Sequence, residues 1–192
     1  MQGMFMNNTA IKNIDFINEN DASLDESHFK TSNVTDMSYM FSGCSSLEKY
    51  DFTRKLEDTF QTIKAQNMSH MFENTALTSV NFKDGFLSVY ELTNSNHMFS
   101  GCSLLEDVNL DRSSEMGLVA TVVNAMYMFE NCPSIEKINL ENFNVSRELI
   151  PEDETDPNAE MVASVYNMFA NVDEAGNVTD NSNINEFTIG RD

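Results

Sequence analysis

Cations are scarce in this 192-residue chain: Lys and Arg number 11 against 31 Asp and Glu, a net charge of −20. That balance repels phosphate, so no nucleic acid and no anionic membrane surface is expected as a partner. Long apolar runs are also missing. The longest, residues 117–123, is far too short to span a bilayer, so no direct membrane insertion is expected. Met1-Gln2-Gly3-Met4-Phe5-Met6 lacks the basic start and apolar core of a signal peptide. The chain therefore reads as a soluble mature protein or a piece of a longer one. Three Cys cannot close a disulfide framework, and three His leave little material for a zinc site. There is no Gly-rich phosphate loop, no Gly-x-Ser-x-Gly elbow and no His beside an obvious nucleophile, so neither catalysis nor a cofactor is expected. A carbohydrate-active enzyme would need two carboxylates at a fixed separation in a cleft, and among 31 acids a pair is uninformative. What the chain does have is 14 Phe, 13 Met and 41% hydrophobic residues, enough for a packed core and too many for a disordered acidic tail.

Those Met and Phe residues are periodic. The pair Met-Phe stands at 4–5, 40–41, 71–72, 98–99, 128–129 and 168–169, with spacings of 36, 31, 27, 30 and 40 residues. After five of the pairs, and after a longer gap following the sixth, comes a segment of the form apolar-x-x-apolar-(Asp/Asn)-apolar; all but the last copy follow within a few residues. Its six copies begin at Ile11, Leu47, Leu77, Leu105, Ile135 and Ile184; the last ends in Thr188-Ile189. Upstream of the pairs, Val34, Met37, Met40 and Phe41 fall at i, i+3, i+6 and i+7, one face of a helix. Ala65, Met68, Met71 and Phe72 repeat the spacing, as do Val162, Val165, Met168 and Phe169. Thr31-Ser32-Asn33 supplies N-cap oxygens, and Gly43 and Gly101 suit left-handed helix stops.

Each unit then reads as a short helix ending in Met-Phe, a tight turn and a short strand, with successive strands parallel because a helix intervenes. The expected fold class is an α/β repeat: a right-handed leucine-rich-repeat-like solenoid with a parallel sheet on one face and short helices on the other. Residues 1–192 form a single domain of about six units, approximately 4–33, 34–64, 65–91, 92–121, 122–161 and 162–192. Six strands about 4.8 Å apart make a sheet roughly 24 Å across.

Thr31-Ser32-Asn33-Val34-Thr35-Asp36-Met37-Ser38-Tyr39-Met40-Phe41-Ser42-Gly43-Cys44-Ser45-Ser46-Leu47 resembles the repeat signature of the BspA-like leucine-rich-repeat bacterial surface proteins. The resemblance implies a cell-surface or secreted location, with signal and anchor outside this chain. It also implies attachment to a host or neighbouring-cell protein or glycan, and it supplies no catalytic residues.

Candidate sites follow from stacking the units. The outward strand face carries one column of Asn13, Lys49, Ser79, Asp107, Lys137 and Glu186, and a second of Asp15, Asp51, Asn81, Asn109, Asn139 and Thr188. Such a polar grid suits a hydroxyl-rich glycan or a polar protein surface; alternatively it is a ladder that only bonds between units. Cys44, Cys102 and Cys132 share a position and read as small apolar side chains that fit the turn, with a Cys102–Cys132 disulfide as the alternative. His70 and His97 share another with Tyr39, Tyr127 and Asn167, and no third ligand for a metal is evident. The acids Glu152, Asp153, Glu154 and Asp156, and the stretch 173–180, lack calcium-loop spacing and read as solvated loops. Five Asn-x-Ser/Thr sequons, at Asn7, Asn33, Asn67, Asn144 and Asn177, follow from an Asn- and Ser-rich composition. The functional expectation is a non-catalytic binding module, adhesive or ligand-recognising; the alternative is a structural spacer without a ligand. Neither end has a visible polar cap, so the solenoid ends are expected to be covered by further domains or by self-association.

Overall fold

The structure is a computed structural model, and it describes residues 1–15, 31–51, 62, 64–81, 91–110, 121–141, 143, 145–146, 149–152, 155–156, 161–163, 165–172, 178–180, 184 and 186–188. Among the described residues there are ten three-residue strands: β1 (Asn13–Asp15), β2 (Lys49–Asp51), β3 (Ser79–Asn81), β4 (Asp107–Asn109), β5 (Lys137–Asn139), β6 (Leu149–Pro151), β7 (Met161–Ala163), β8 (Ala170–Val172), β9 (Val178–Asp180) and β10 (Glu186–Thr188). They fall into four separate sheets. β1 and β2 pair in parallel, β10-β5-β4-β3 form a four-stranded parallel sheet, and β6-β7 and β8-β9 are antiparallel pairs.

Among the described residues there is no helix. That overturns the helix-and-strand leucine-rich-repeat solenoid, and with it the BspA-like reading of the Thr31–Leu47 signature. The reason is local backbone geometry. The residue before each Met-Phe pair is left-handed: Gly3, Tyr39, His70, His97, Tyr127 and Asn167 have φ between 49 and 61°. A right-handed helix cannot pass through such a residue. A second left-handed residue follows four positions later at Asn7, Gly43, Asn74, Gly101 and Asn131. Gly43 and Gly101 are thus left-handed, as their sequence position suggests, but they close a turn and end no helix.

The turn at Met40-Phe41 shows what replaces the helix. Asp36 Oδ1 accepts from the Ser38 amide at 2.9 Å, an Asx-turn that starts the bend. Met40, Ser42 and Cys44 N–H then donate to the carbonyls of Met37, Tyr39 and Phe41, three residues back. The amides between them point elsewhere: Met37, Tyr39, Phe41 and Gly43 donate to Asn67, Ser69, Met71 and Glu73 of the next turn at 2.8–3.0 Å. With Ser45 donating to Gly43, every amide from Met37 to Ser45 is satisfied without a helix. The same alternation recurs at 68–74 and at 95–102. Asn67, Asn94 and Asn124 take the place of Asp36, joined to it by a line of parallel bridges.

Stacked turns bury what lies between them. Phe5, Phe41, Phe72, Phe99, Phe129 and Phe169 form one column, each ring parallel to the next within 14° at 5.3–5.6 Å, an offset stack. Met40, Met71, Met98 and Met128 are fully buried beside it, as are Leu47, Leu77, Leu105 and Ile135. The strands add Ile14, Val80, Val108 and Ile138 beneath the sheet. A left-handed Tyr or His costs about 1–2 kcal/mol in backbone energy. One between-turn hydrogen bond and one ring stack offset that, at about 1 kcal/mol each.

The segment expected as a sixth helix differs most. β7 covers part of it, Val165 is exposed at 38%, and Phe169 leads directly into β8. The turn itself persists there, with the Met168 and Ala170 amides donating to the carbonyls of Val165 and Asn167.

The second left-handed column alternates Asn and Gly, and a packing reason is visible. A Cβ built on Gly43 collides with Asn7 Oδ1, and one on Gly101 collides with Asn74 Oδ1. Gly101→Ala is therefore expected to lose about 1–3 kcal/mol in denaturant melts. Adding Asn74→Gly should restore part of that loss, because it removes the colliding amide. Strictly additive effects would contradict this packing.

Candidate binding face

Strand register decides which polar residues meet. Asn13 lies opposite Lys49 and Asp15 opposite Asp51 in the first sheet. In the four-stranded sheet Ser79, Asp107, Lys137 and Glu186 form one row, and Asn81, Asn109, Asn139 and Thr188 the next. No pairing links Lys49 to Ser79 among the described residues, so the twelve residues nominated from the sequence lie on two sheets and not on one continuous grid. Asn13, Ser79, Asp107 and Lys137 are exposed, and Asn109 and Asn139 are half-buried. The side chains of Asp15, Lys49, Asp51, Asn81, Glu186 and Thr188 lie outside the described residues.

Alternation along each strand produces this face. In β4 and β5 the first residue is exposed, the middle one buried and the last half-buried, so apolar Val108 and Ile138 anchor the strand while its neighbours face water. Exposed Asp107 and Lys137 lie opposite each other on adjacent strands, a favourable pairing of opposite charges. Asn139 Oδ1 accepts from the Glu141 amide at 2.9 Å, so part of its capacity serves the chain itself. Glu106 and Glu136, one residue before these strands, are also exposed.

A different set of side chains lines the turns. Tyr39, His70, His97 and Tyr127 stack ring on ring at 4.4, 4.7 and 4.7 Å. Asn167 shares their backbone conformation, yet it is Tyr166 that meets Tyr127, edge-on at 5.8 Å. Two acids that sequence reasoning passed over flank the imidazoles. Glu73 Oε2 is 3.2 Å from His70 Nδ1, and Glu130 Oε2 is 3.7 Å from His97 Nε2. Both also accept from hydroxyls, Ser42 at 3.1 Å and Ser100 at 3.4 Å. The available signal was the residue after Met-Phe, which runs Ser42, Glu73, Ser100, Glu130.

Burial pulls the His97 pKa down to about 4, with the neighbouring His70 adding to the shift and Glu73 opposing it. For Glu73 burial alone would raise the pKa, but His70 and the Ser42 hydroxyl outweigh it and lower it. Burial raises Glu130, against its hydrogen bond from Ser100. Among the described residues no group of three His, Cys, Asp or Glu is placed to hold a metal ion. Of the acidic loop, Glu152 accepts from the Tyr127 hydroxyl at 2.6 Å and Asp156 is exposed; Asp153 and Glu154 lie outside the described residues. So do residues 173–177, while Val178–Asp180 is β9.

Cys44, Cys102 and Cys132 are buried free thiols. Each donates to the carbonyl of a core Phe, at Phe5, Phe72 and Phe99, at 3.1–3.2 Å. Thr75 fills the same position in the shortened segment and lies 3.2 Å from Cys102 Sγ. Burial raises all three thiols, Cys102 to about 11. A thiol-specific reagent at pH 8 should therefore label native Cys102 roughly 100-fold more slowly than the unfolded chain. Rapid native labelling, or a Cys102–Cys132 disulfide revealed by mass, would contradict this placement.

Residues 1–113 match the family described as Mycoplasma protein of unknown function, DUF285. This, and not the BspA-like leucine-rich-repeat family, is what the sequence matches. No curated protein and no solved structure matches the chain. The matched stretch covers more than half of the chain and the first four Met-Phe turns, and the protein belongs to the DUF285 family.

Proposed function

We propose that this chain is a non-catalytic binding module that contacts its partner through the polar rows of β3, β4, β5 and β10. The observation that carries the reading is the register of those strands. It sets exposed Ser79, Asp107 and Lys137 side by side above buried Val80, Val108 and Ile138. The strand backbone fixes the spacing of these hydroxyl, carboxylate and ammonium groups over a buried apolar base, which lowers the ordering cost of binding. Its chemistry fits a glycan or the polar surface of a host or neighbouring-cell protein. With that partner goes a cell-surface or secreted location.

Binding to a panel of matrix proteins and glycans tests the reading, with each hit repeated at high salt because a charge of −20 attracts basic proteins without specificity. A variant carrying Ser79→Arg, Asp107→Arg and Lys137→Glu changes only exposed side chains on this face. The expected result is a salt-resistant ligand whose affinity falls about tenfold or more in the variant. Silence across the panel, or hits that vanish with salt, would favour the spacer that binds nothing.

A further inference from the structure

The ring column on the Met-Phe turns places two titratable groups in direct contact. His70 and His97 stack at 4.7 Å with planes 8° apart, and Tyr39 and Tyr127 cover their outer faces. Neither ring is free to withdraw as an exposed side chain would. Each sits on a left-handed residue whose own amide is tied to the following turn, His70 to Asn96 and His97 to Met126. Protons on both rings would set two like charges face to face in a stack closed by tyrosines.

Other charged and polar groups modulate this. Glu73 faces His70 at 3.2 Å and Glu130 faces His97 at 3.7 Å, and the Glu73 carboxylate favours a proton on His97. Their oxygens are shared with Ser42 and Ser100. The Nδ1 of His97 is engaged by Asn96 Oδ1, and the Tyr127 hydroxyl by Glu152. Burial and the adjacent imidazole prevail, because His97 stays neutral down to about pH 4.

We propose that the Tyr39–His70–His97–Tyr127 stack is an acid-sensitive clasp, holding the turn at Met71-Phe72 against the turn at Met98-Phe99 at neutral pH and loosening that junction on acidification. The sign follows from linkage. An opened junction exposes His97, which then takes up a proton near its ordinary value of 6.5, whereas the closed stack resists protonation down to about 4. The clasp is therefore at full strength above pH 6.5 and weakens as pH falls from 6.5 towards 4. β3 and β4, which pair Ser79 with Asp107, follow these two turns.

Amide hydrogen exchange by NMR tests this, read as protection factors so that the intrinsic pH dependence of exchange is removed. His70, Phe72 and Asn74 donate across the junction to Asn96, Met98 and Ser100. Their protection is expected to fall about tenfold between pH 8 and pH 5, allowing for solvent screening of a partly exposed ring. Gly3, Phe5 and Asn7, which donate to Ser38, Met40 and Ser42 at a junction without histidine, should change far less. His97→Tyr places at this position the residue that Tyr39 and Tyr127 already supply in the column, and it should abolish the fall. His97→Asn, which copies the left-handed Asn167 of the last turn, serves if the tyrosine variant does not fold. Loss of protection in the variants equal to that of the parent chain would overturn the proposal, as would an unchanged junction in the parent or an equal loss at both junctions.

Discussion

When a left-handed residue stands just before Met-Phe, successive amides point in two directions. One closes a three-residue turn, and the next reaches the carbonyl of the neighbouring turn. At the turn around Met40 this alternation runs unbroken from Tyr39 to Cys44, after the Asp36 side chain has taken up the Ser38 amide. The arrangement leaves no amide of that turn unpaired and fixes the distance between turns. Rings carried by the turn must then stack, which produces both the buried Phe column and the partly exposed Tyr–His column. The strands inherit their register from the same spacing, so Ser79, Asp107 and Lys137 align because the turns before them do.

Much of the strand architecture is legible in the sequence. The segments beginning at Ile11, Leu47, Leu77, Leu105, Ile135 and Ile184 each contain one of the parallel-paired strands. Their apolar alternation buries Ile14, Val80, Val108 and Ile138. The turn is not legible from apolar spacing, because i, i+3, i+6 and i+7 fits a helix and also fits a run of three-residue turns. Met37, Met40 and Phe41 are buried either way. A better signal lies in the polar residues. Asn and Gly alternate at 7, 43, 74, 101 and 131, and these two residue types are the ones that tolerate left-handed backbone most readily. Asp36, Asn67, Asn94 and Asn124 likewise mark Asx-turns where a helix interior would disfavour them.

The candidate face and the ring column follow from the same stacking but differ in chemistry. On the strands, exposed Asp107 and Lys137 lie side by side over a buried apolar base, the surface we propose for contact. On the turns, ionisable groups are packed face to face and half-buried, which makes their charge state part of the stability of the stack. The cysteines belong to neither, since their thiols serve as buried donors to the carbonyls of the Phe column. Membership of the DUF285 family ties the first four Met-Phe turns to related chains.

The central claim is the left-handed backbone before Met-Phe, and solution NMR of the backbone tests it most directly. Chemical shifts and scalar couplings at Tyr39, His70, His97 and Tyr127 should report positive φ, each flanked by residues in turn conformation. A continuous run of right-handed helical values from Val34 through Phe41 would contradict the account and restore a helix to this segment.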